Sequence, residues 1–209
     1  MDDRRIFAVG DVHGCRAKLV QLLEKIDWRP ENHEELVFLG DYIDRGPDSY
    51  GVVETVMELK ARHPKLVTLL KGNHEQMFMD FIAGREDLVL TANGVAWTMR
   101  SYNRNSPFPV SHLQFYNNLE LFRATEAHIF VHAGLRPGVP LREQTERDFL
   151  WIRDEFLEST YDFGKTVVFG HTPFKEPYIC SGRAGLDTGA VFGGALTCLE
   201  VSQGRLISV

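Results

Sequence analysis

Five times along this chain an apolar run rich in β-branched residues stops at a glycine-flanked cluster of polar residues. Phe7-Ala8-Val9 leads into Gly10-Asp11-Val12-His13-Gly14, and Leu36-Val37-Phe38-Leu39 into Gly40-Asp41-Tyr42-Ile43-Asp44-Arg45-Gly46. Val67-Thr68-Leu69-Leu70-Lys71 leads into Gly72-Asn73-His74-Glu75, Ile129-Phe130-Val131 into His132-Ala133-Gly134, and Val167-Val168-Phe169 into Gly170-His171-Thr172. Any one of these is compatible with a turn. Five with one grammar imply neighbouring strands that deliver polar groups to one edge of a sheet, where α/β proteins build their sites.

Helical patterns fill the gaps between the first three runs. Leu19, Leu22, Leu23 and Ile26 recur at one-face spacing. Pro47-Asp48-Ser49 opens a helix lined by Val52, Val56 and Leu59, and Met77, Phe78, Phe81 and Ile82 mark a shorter one ending at Gly84. This βαβαβα order predicts a parallel sheet with helical crossovers. From Gly84 to Phe122 the pattern loosens, with Asn93-Gly94 and a loop by composition at Asn103–Pro109. That stretch reads as an insertion over the sheet edge on the substrate side, within a single domain spanning 1–209. Strands return at 128–132, 166–170, roughly 177–181, 195–201 and 205–209, the last two as a hairpin across Ser202-Gln203-Gly204. The expected fold class is α/β, with two packed mixed β-sheets flanked by helices.

Composition narrows the function. With 209 residues, 44% hydrophobic and 25% charged, the chain is ordinary for a soluble globular protein. A net charge of −6 argues against a nucleic-acid backbone binder. It is compatible with a phosphorylated substrate, because bound cations can supply local positive potential. Three widely spaced cysteines (Cys15, Cys180, Cys198), the absence of a signal-peptide pattern and the absence of a membrane-length apolar run set a cytoplasmic location and no membrane partner as the expectation.

Asp11 and His13, two apart on an extended segment, point to the same side and make a reasonable ligand pair for a transition metal, or a pair of turn caps. Asp41 could bridge two ions, and Asp44 and Arg45 would reach different parts of a substrate. Asn73 either faces a metal or N-caps the helix begun by Glu75. A lone strand-end histidine such as His132 or His171 is more often a core residue. Together these groups give about six ligands plus an acid and an anion clamp, the set that a two-metal phosphoryl-transfer site requires.

In this order GDVHG, GDYIDRG, GNHE, the HAG after a strand and GHT resemble the phosphoprotein phosphatase family of metallophosphoesterases, and most of all its compact bacterial and phage-type serine/threonine phosphatases. The likeness runs from Phe7 to about Leu199. It implies that Asp11 and His13 bind one metal, that Asp41 bridges, and that Asn73, His132 and His171 bind the second. It further implies His74, oriented by Asp44, as general acid, with Arg45 and Arg153 as phosphate contacts. The implied activity is hydrolysis of phosphoserine and phosphothreonine in a phosphoprotein, by direct attack of a hydroxide shared between two divalent ions. The donor set admits Mn²⁺, Fe²⁺ or Zn²⁺, and the resemblance favours Mn²⁺. The alternative is symmetrical hydrolysis of a dinucleoside polyphosphate such as diadenosine tetraphosphate. Asp44 and Glu75 favour the phosphatase, since the nucleotide branch often differs there. The chain departs from the pattern at Ala133 and Thr172, neither a ligand.

Other residues have plainer readings. His33, His63 and His112 lie in expected loops, His128 begins a strand, Cys15 packs behind the first motif, and Asp187 fixes a turn. Trp97, Tyr102 and Phe108, with Arg100 and Arg104, form either a substrate wall or an aromatic packing layer.

Overall fold

The computed structural model describes residues 5–85, 94–103 and 108–209. Two five-stranded mixed sheets lie face to face. In the first, β1 (Ile6–Val9), β2 (Glu35–Phe38) and β3 (Val67–Leu69) run parallel, and β9 (Thr197–Glu200) and β10 (Arg205–Ser208) add antiparallel to β1, giving the order β10-β9-β1-β2-β3. In the second, β5 (His128–Val131), β6 (Thr166–Phe169) and β8 (Arg183–Gly185) are parallel, with β4 (Phe122–Ala124) and β7 (Tyr178–Cys180) antiparallel at the edges.

The apolar runs are continuous rather than alternating because both faces of these strands are covered. Ile6, Ala8, Val37 and Leu39 meet Phe130, Val168 and Ala184 between the sheets. The alternate residues Phe7, Val9, Leu36 and Phe38 turn outward onto helices α1 (Arg16–Lys25), α2 (Ser49–Arg62) and α3 (Asn73–Ile82). On the far side, Ile129, Val131, Val167 and Phe169 pack on α6 (Glu146–Trp151) and α7 (Asp154–Leu157). Among the described residues no helix is long and apolar enough to cross a membrane.

Among the described residues of the 84–122 stretch are two helices, α4 (Val95–Asn103) and α5 (Val110–Asn117). They share the first sheet's outer core through Val95, Phe115 and Tyr116. Tyr102 stacks on Phe108 at 4.4 Å and is buried with Phe78 and Tyr116, so Tyr102 and Phe108 join a packing layer, whereas Trp97 is exposed with Arg100 over its ring. His112, expected in a loop, is buried in α5, bonded to Tyr102 Oη (2.7 Å) and Glu54 (2.5 Å). Arg104 and Asn93 lie outside the described residues.

The carboxyl ends of β1, β2 and β3 meet those of β5 and β6 where the sheets abut. The first two turns interlock: Val12 and His13 donate their N–H to Asp41 O, Gly14 N donates to Tyr42 O, and Asp48 N returns to Gly14 O. Gly46 fits between them, since a Cβ there would lie 1.9 Å from His13 O. Gly46→Ala is therefore expected to lower stability by about 1–3 kcal/mol. Urea unfolding is the check, and an unchanged midpoint would show that the turns are not mutually supporting.

Candidate metal centre and acid–base site

Six non-glycine residues among those described have positive φ, and five are site candidates: His13, Asp41, Asp44, Arg45 and His171. Such conformations are costly for L-residues and persist where surrounding structure enforces them. Asp41 is held by Glu75, His13 by the Asp41 carbonyl, Asp44 by Ser49 and Thr98, and His171 by Asp11. Fully buried, Glu75 accepts N–H bonds from Asp41 (2.9 Å), Tyr42 (2.8 Å), Ile43 (3.4 Å) and Gly72 (2.9 Å). Burial and the nearby Asp41 push its pKa up to about 8, while His74 and the backbone donors pull it back. Gly72, not Asn73, caps α3; Asn73 is the first helical residue, which frees its side chain.

The histidines converge as neutral imidazoles. Burial pushes His13 down to about 4 and also lowers His132 and His171. His13 Nδ1–H donates to Ile43 O (2.8 Å) and His132 Nδ1–H to Leu39 O (2.8 Å), leaving each Nε2 with an inward lone pair. The second bond also ties the two sheets together. Asp41 lies between the groups. Its Oδ2 is 3.4 Å from His13 Nε2 and its Oδ1 is 3.5 Å from His132 Nε2. Burial would raise the Asp41 pKa, but the surrounding histidines outweigh it and hold the carboxylate ionised. Asn73 Oδ1 lies 2.9 Å from His132 Nε2 and 3.1 Å from His171 Nδ1, and His171 Nε2 is buried with no hydrogen-bond partner.

Two sets of potential ligand atoms result, His13–Asp41–His74 and Asp41–His132–His171, each within 4.8 Å. Unprotonated nitrogens aimed at a carboxylate with no hydrogen between them repel, and a divalent cation converts that repulsion into ligation. The residues present therefore fit a metal pair sharing Asp41. Asp11 stands apart from both sets. Its oxygens accept the His171 N–H at 3.0 and 3.2 Å, and burial with Asp187 and Asp41 nearby raises its pKa.

His74 Nδ1 lies 2.6 Å from Asp44 Oδ2, and its Nε2 is 4.0 Å from Asp41 Oδ2. Burial alone would lower its pKa, but Asp41 and Asp44 outweigh burial and raise it, favouring a protonated ring. Asp44 is itself held by α4: Thr98 Oγ1 donates to its Oδ1 (2.6 Å), and the Asp44 N–H contacts Ser49 Oγ and Thr98 Oγ1. So the insertion braces the acid–base pair. Arg45 donates to His13 Nε2 (2.7 Å), and Arg153 reaches His171 O (3.4 Å), so the two guanidiniums stand at opposite ends of the donor cluster.

Two contributors escape the motifs. Thr98 arrives from a helix with no pattern of its own. Asp187, read as a turn former, does accept Gly189 N (2.9 Å), yet it also lies in the field of Asp41, Arg45 and Arg153, and burial pushes its pKa up to about 6. Its only sequence signal is its position just after a strand-like Ala-Gly-Leu.

The sequence profile described as calcineurin-like phosphoesterase matches residues 4–196. The asymmetrical bis(5′-nucleosyl)-tetraphosphatase PrpE of Bacillus cereus strain AH820 is 28% identical over 96% of this chain and 92% of its own. A crystal structure provisionally described as a diadenosine tetraphosphatase superposes with a TM-score of 0.79 and 26% identity, covering 100% of this chain and 94% of that one. A serine/threonine phosphatase from Saccharomyces cerevisiae shares the fold, with a TM-score of 0.64 and 19% identity over 100% of this chain and 80% of its own.

Glu75→Gln places an amide N–H against backbone donors and is expected to cost about 2–4 kcal/mol in urea unfolding. A smaller loss than in an exposed Glu→Gln control would remove its bracing role. Mn²⁺ at 100 times its dissociation constant is expected to stabilise the protein by about 2.7 kcal/mol per bound ion. Asp41→Asn should abolish that shift in thermal unfolding; an undiminished shift would place the ions elsewhere.

Proposed function

We propose that this chain, which belongs to the calcineurin-like phosphoesterase family, hydrolyses a dinucleoside tetraphosphate off-centre, to a nucleoside triphosphate and a monophosphate. What supports the substrate class is the likeness to PrpE along nearly the whole of both chains. What supports the chemistry is the buried donor cluster with an arginine at each end. His13 and Asp41, with Asp11 beside them, would hold one cation, and Asp41, Asn73, His132 and His171 the other. Mn²⁺ suits this mixture of carboxylate, amide and imidazole. Held there, the pair would supply Lewis acidity toward the phosphoryl oxygens and a water activated at neutral pH.

The chain's own residues do the rest. Arg45 and Arg153 each offer a planar fork that can hold two phosphate oxygens, so a polyphosphate can lie across the cluster between them. His74, held by Asp44 through its Nδ1 (2.6 Å), donates a proton to the departing oxygen. Glu75 does not bear on substrate choice, since both its oxygens are spent on backbone N–H groups.

A second reading, hydrolysis of phosphoserine and phosphothreonine in proteins, draws on the Asp44–His74 pair. An alkoxide is a poor leaving group and needs an acid more than a phosphate does. The discriminating experiment compares kcat/KM for diadenosine tetraphosphate and a phosphothreonine peptide after Mn²⁺ loading. A higher value for the dinucleotide, with ATP and AMP as products, is expected. Preference for the peptide would install the second reading, and two ADP would make the cleavage symmetrical.

His74→Asn is expected to keep bound metal and lose on the order of 10²–10⁴-fold on an alkyl phosphate, and far less on p-nitrophenyl phosphate. A general acid must be protonated, so the parent rate falls as pH rises through the His74 pKa, and the variant should lack that limb. Equal losses on both substrates would remove the acid role.

A further inference from the structure

Exposed aromatic side chains are few among the described residues: Trp97, Trp151, Tyr161 and Phe192. Two of the four touch a residue of the metal-donor cluster or its arginines, one at each end.

Phe192 is 67% exposed, and the Arg45 guanidinium lies over its ring at 5.5 Å. Arg45 in turn contacts His13. The ring is displayed by a built turn, Ala190–Phe192, set between Gly189 and Gly193, both at positive φ. Lys18 Nζ clamps the turn from α1 through Ala190 O (2.9 Å) and Gly194 O. Phe192 N and Gly194 N both donate to Gly189 O, and Asp187 Oδ1 accepts Gly189 N. A turn fixed at this many points holds its phenyl ring in water without covering it.

Trp151 stands at the other end. It is the last residue of α6, 42% exposed, with its indole edge-on to His171 at 6.2 Å. The helix is fixed by a capping box between Thr145 and Asp148 and by Arg136 on Asp148 (2.7 Å). Arg153, two residues on, reaches His171 O. Each end of the cluster thus carries an arginine for phosphate and a rigid, half-bare aromatic face beside it.

We infer that Phe192 and Trp151 are the stacking platforms for the two nucleobases of the substrate, and so determine its specificity. The inference rests on the dinucleotide reading for the second base. A phosphate chain laid between Arg45 and Arg153 carries its two nucleosides outward past these rings. Base–aromatic stacking tolerates any base, because every base has a π-face, so selection is for a nucleotide rather than for adenine.

The test uses the Mn²⁺-loaded protein with ATP and inorganic tripolyphosphate as competing inhibitors of p-nitrophenyl phosphate hydrolysis. In the parent, ATP should inhibit more tightly than tripolyphosphate. The Phe192→Ala/Trp151→Ala double variant should shrink that preference about 5- to 100-fold, and the aromatic Phe192→Tyr/Trp151→Phe pair should keep it. ATP should also quench parent fluorescence more than that of Trp151→Phe. A parent preference near one, or a preference that survives in the double alanine variant, overturns the platforms. Turnover of diadenosine tetraphosphate separates the two claims. Turnover with a KM indifferent to both substitutions overturns the platforms and leaves the substrate reading standing. No turnover, with the ATP preference present and lost in the variants, upholds the platforms and overturns the dinucleotide reading.

Discussion

Everything at this site depends on one buried carboxylate and the backbone it holds. Glu75 gathers four N–H groups, three of them from consecutive residues of the turn after β2. That turn carries Asp41, which serves both ligand sets, and Asp44, which orients His74, both at positive φ. Leaving any of these buried N–H groups without an acceptor would cost about 1–3 kcal/mol, so the four bonds are held together. They offset left-handed conformations that cost on the order of 1–3 kcal/mol each. A residue that follows the general-acid candidate in the chain acts as its scaffold.

The second controlling feature is tautomeric. Carbonyl oxygens just after β2 and in its turn accept from Nδ1 of His132 and His13, which leaves a lone pair on each Nε2. Burial then keeps the rings neutral. The fold spends backbone acceptors to build a pocket that favours cations. Arg45, resting on His13 Nε2, is the protein's own cation at one end of that pocket.

Much of this was legible in the chain. The five strand-end clusters were visible because both faces of their strands are buried, which makes the runs continuous and their endings abrupt. Their division between two sheets, three strands in one and two in the other, was legible only coarsely, as parallel units followed by hairpins. β4 and β8 escaped notice because three residues carry no periodicity, and β8 ends on a glycine. The cap of α3 was misplaced by one residue, since Asn73 is a good cap by type while Gly72 fills the position through its backbone. Thr98 could not be found at all: its role is a contact across 54 positions of sequence. Phe192 reads as core by composition, and only its exposure distinguishes it.

The sheet order has a bearing on how such a centre comes into being. β1 is flanked on one side by β2 and on the other by β9, near residue 200. His171 and the carbonyl-locked His132 come from a second sheet laid down after the first three motifs. The first three motifs supply the His13–Asp41–His74 set by themselves, and the Asp41–His132–His171 set needs both sheets. One donor group is therefore local to the first sheet, whereas the other exists only once the two sheets have docked.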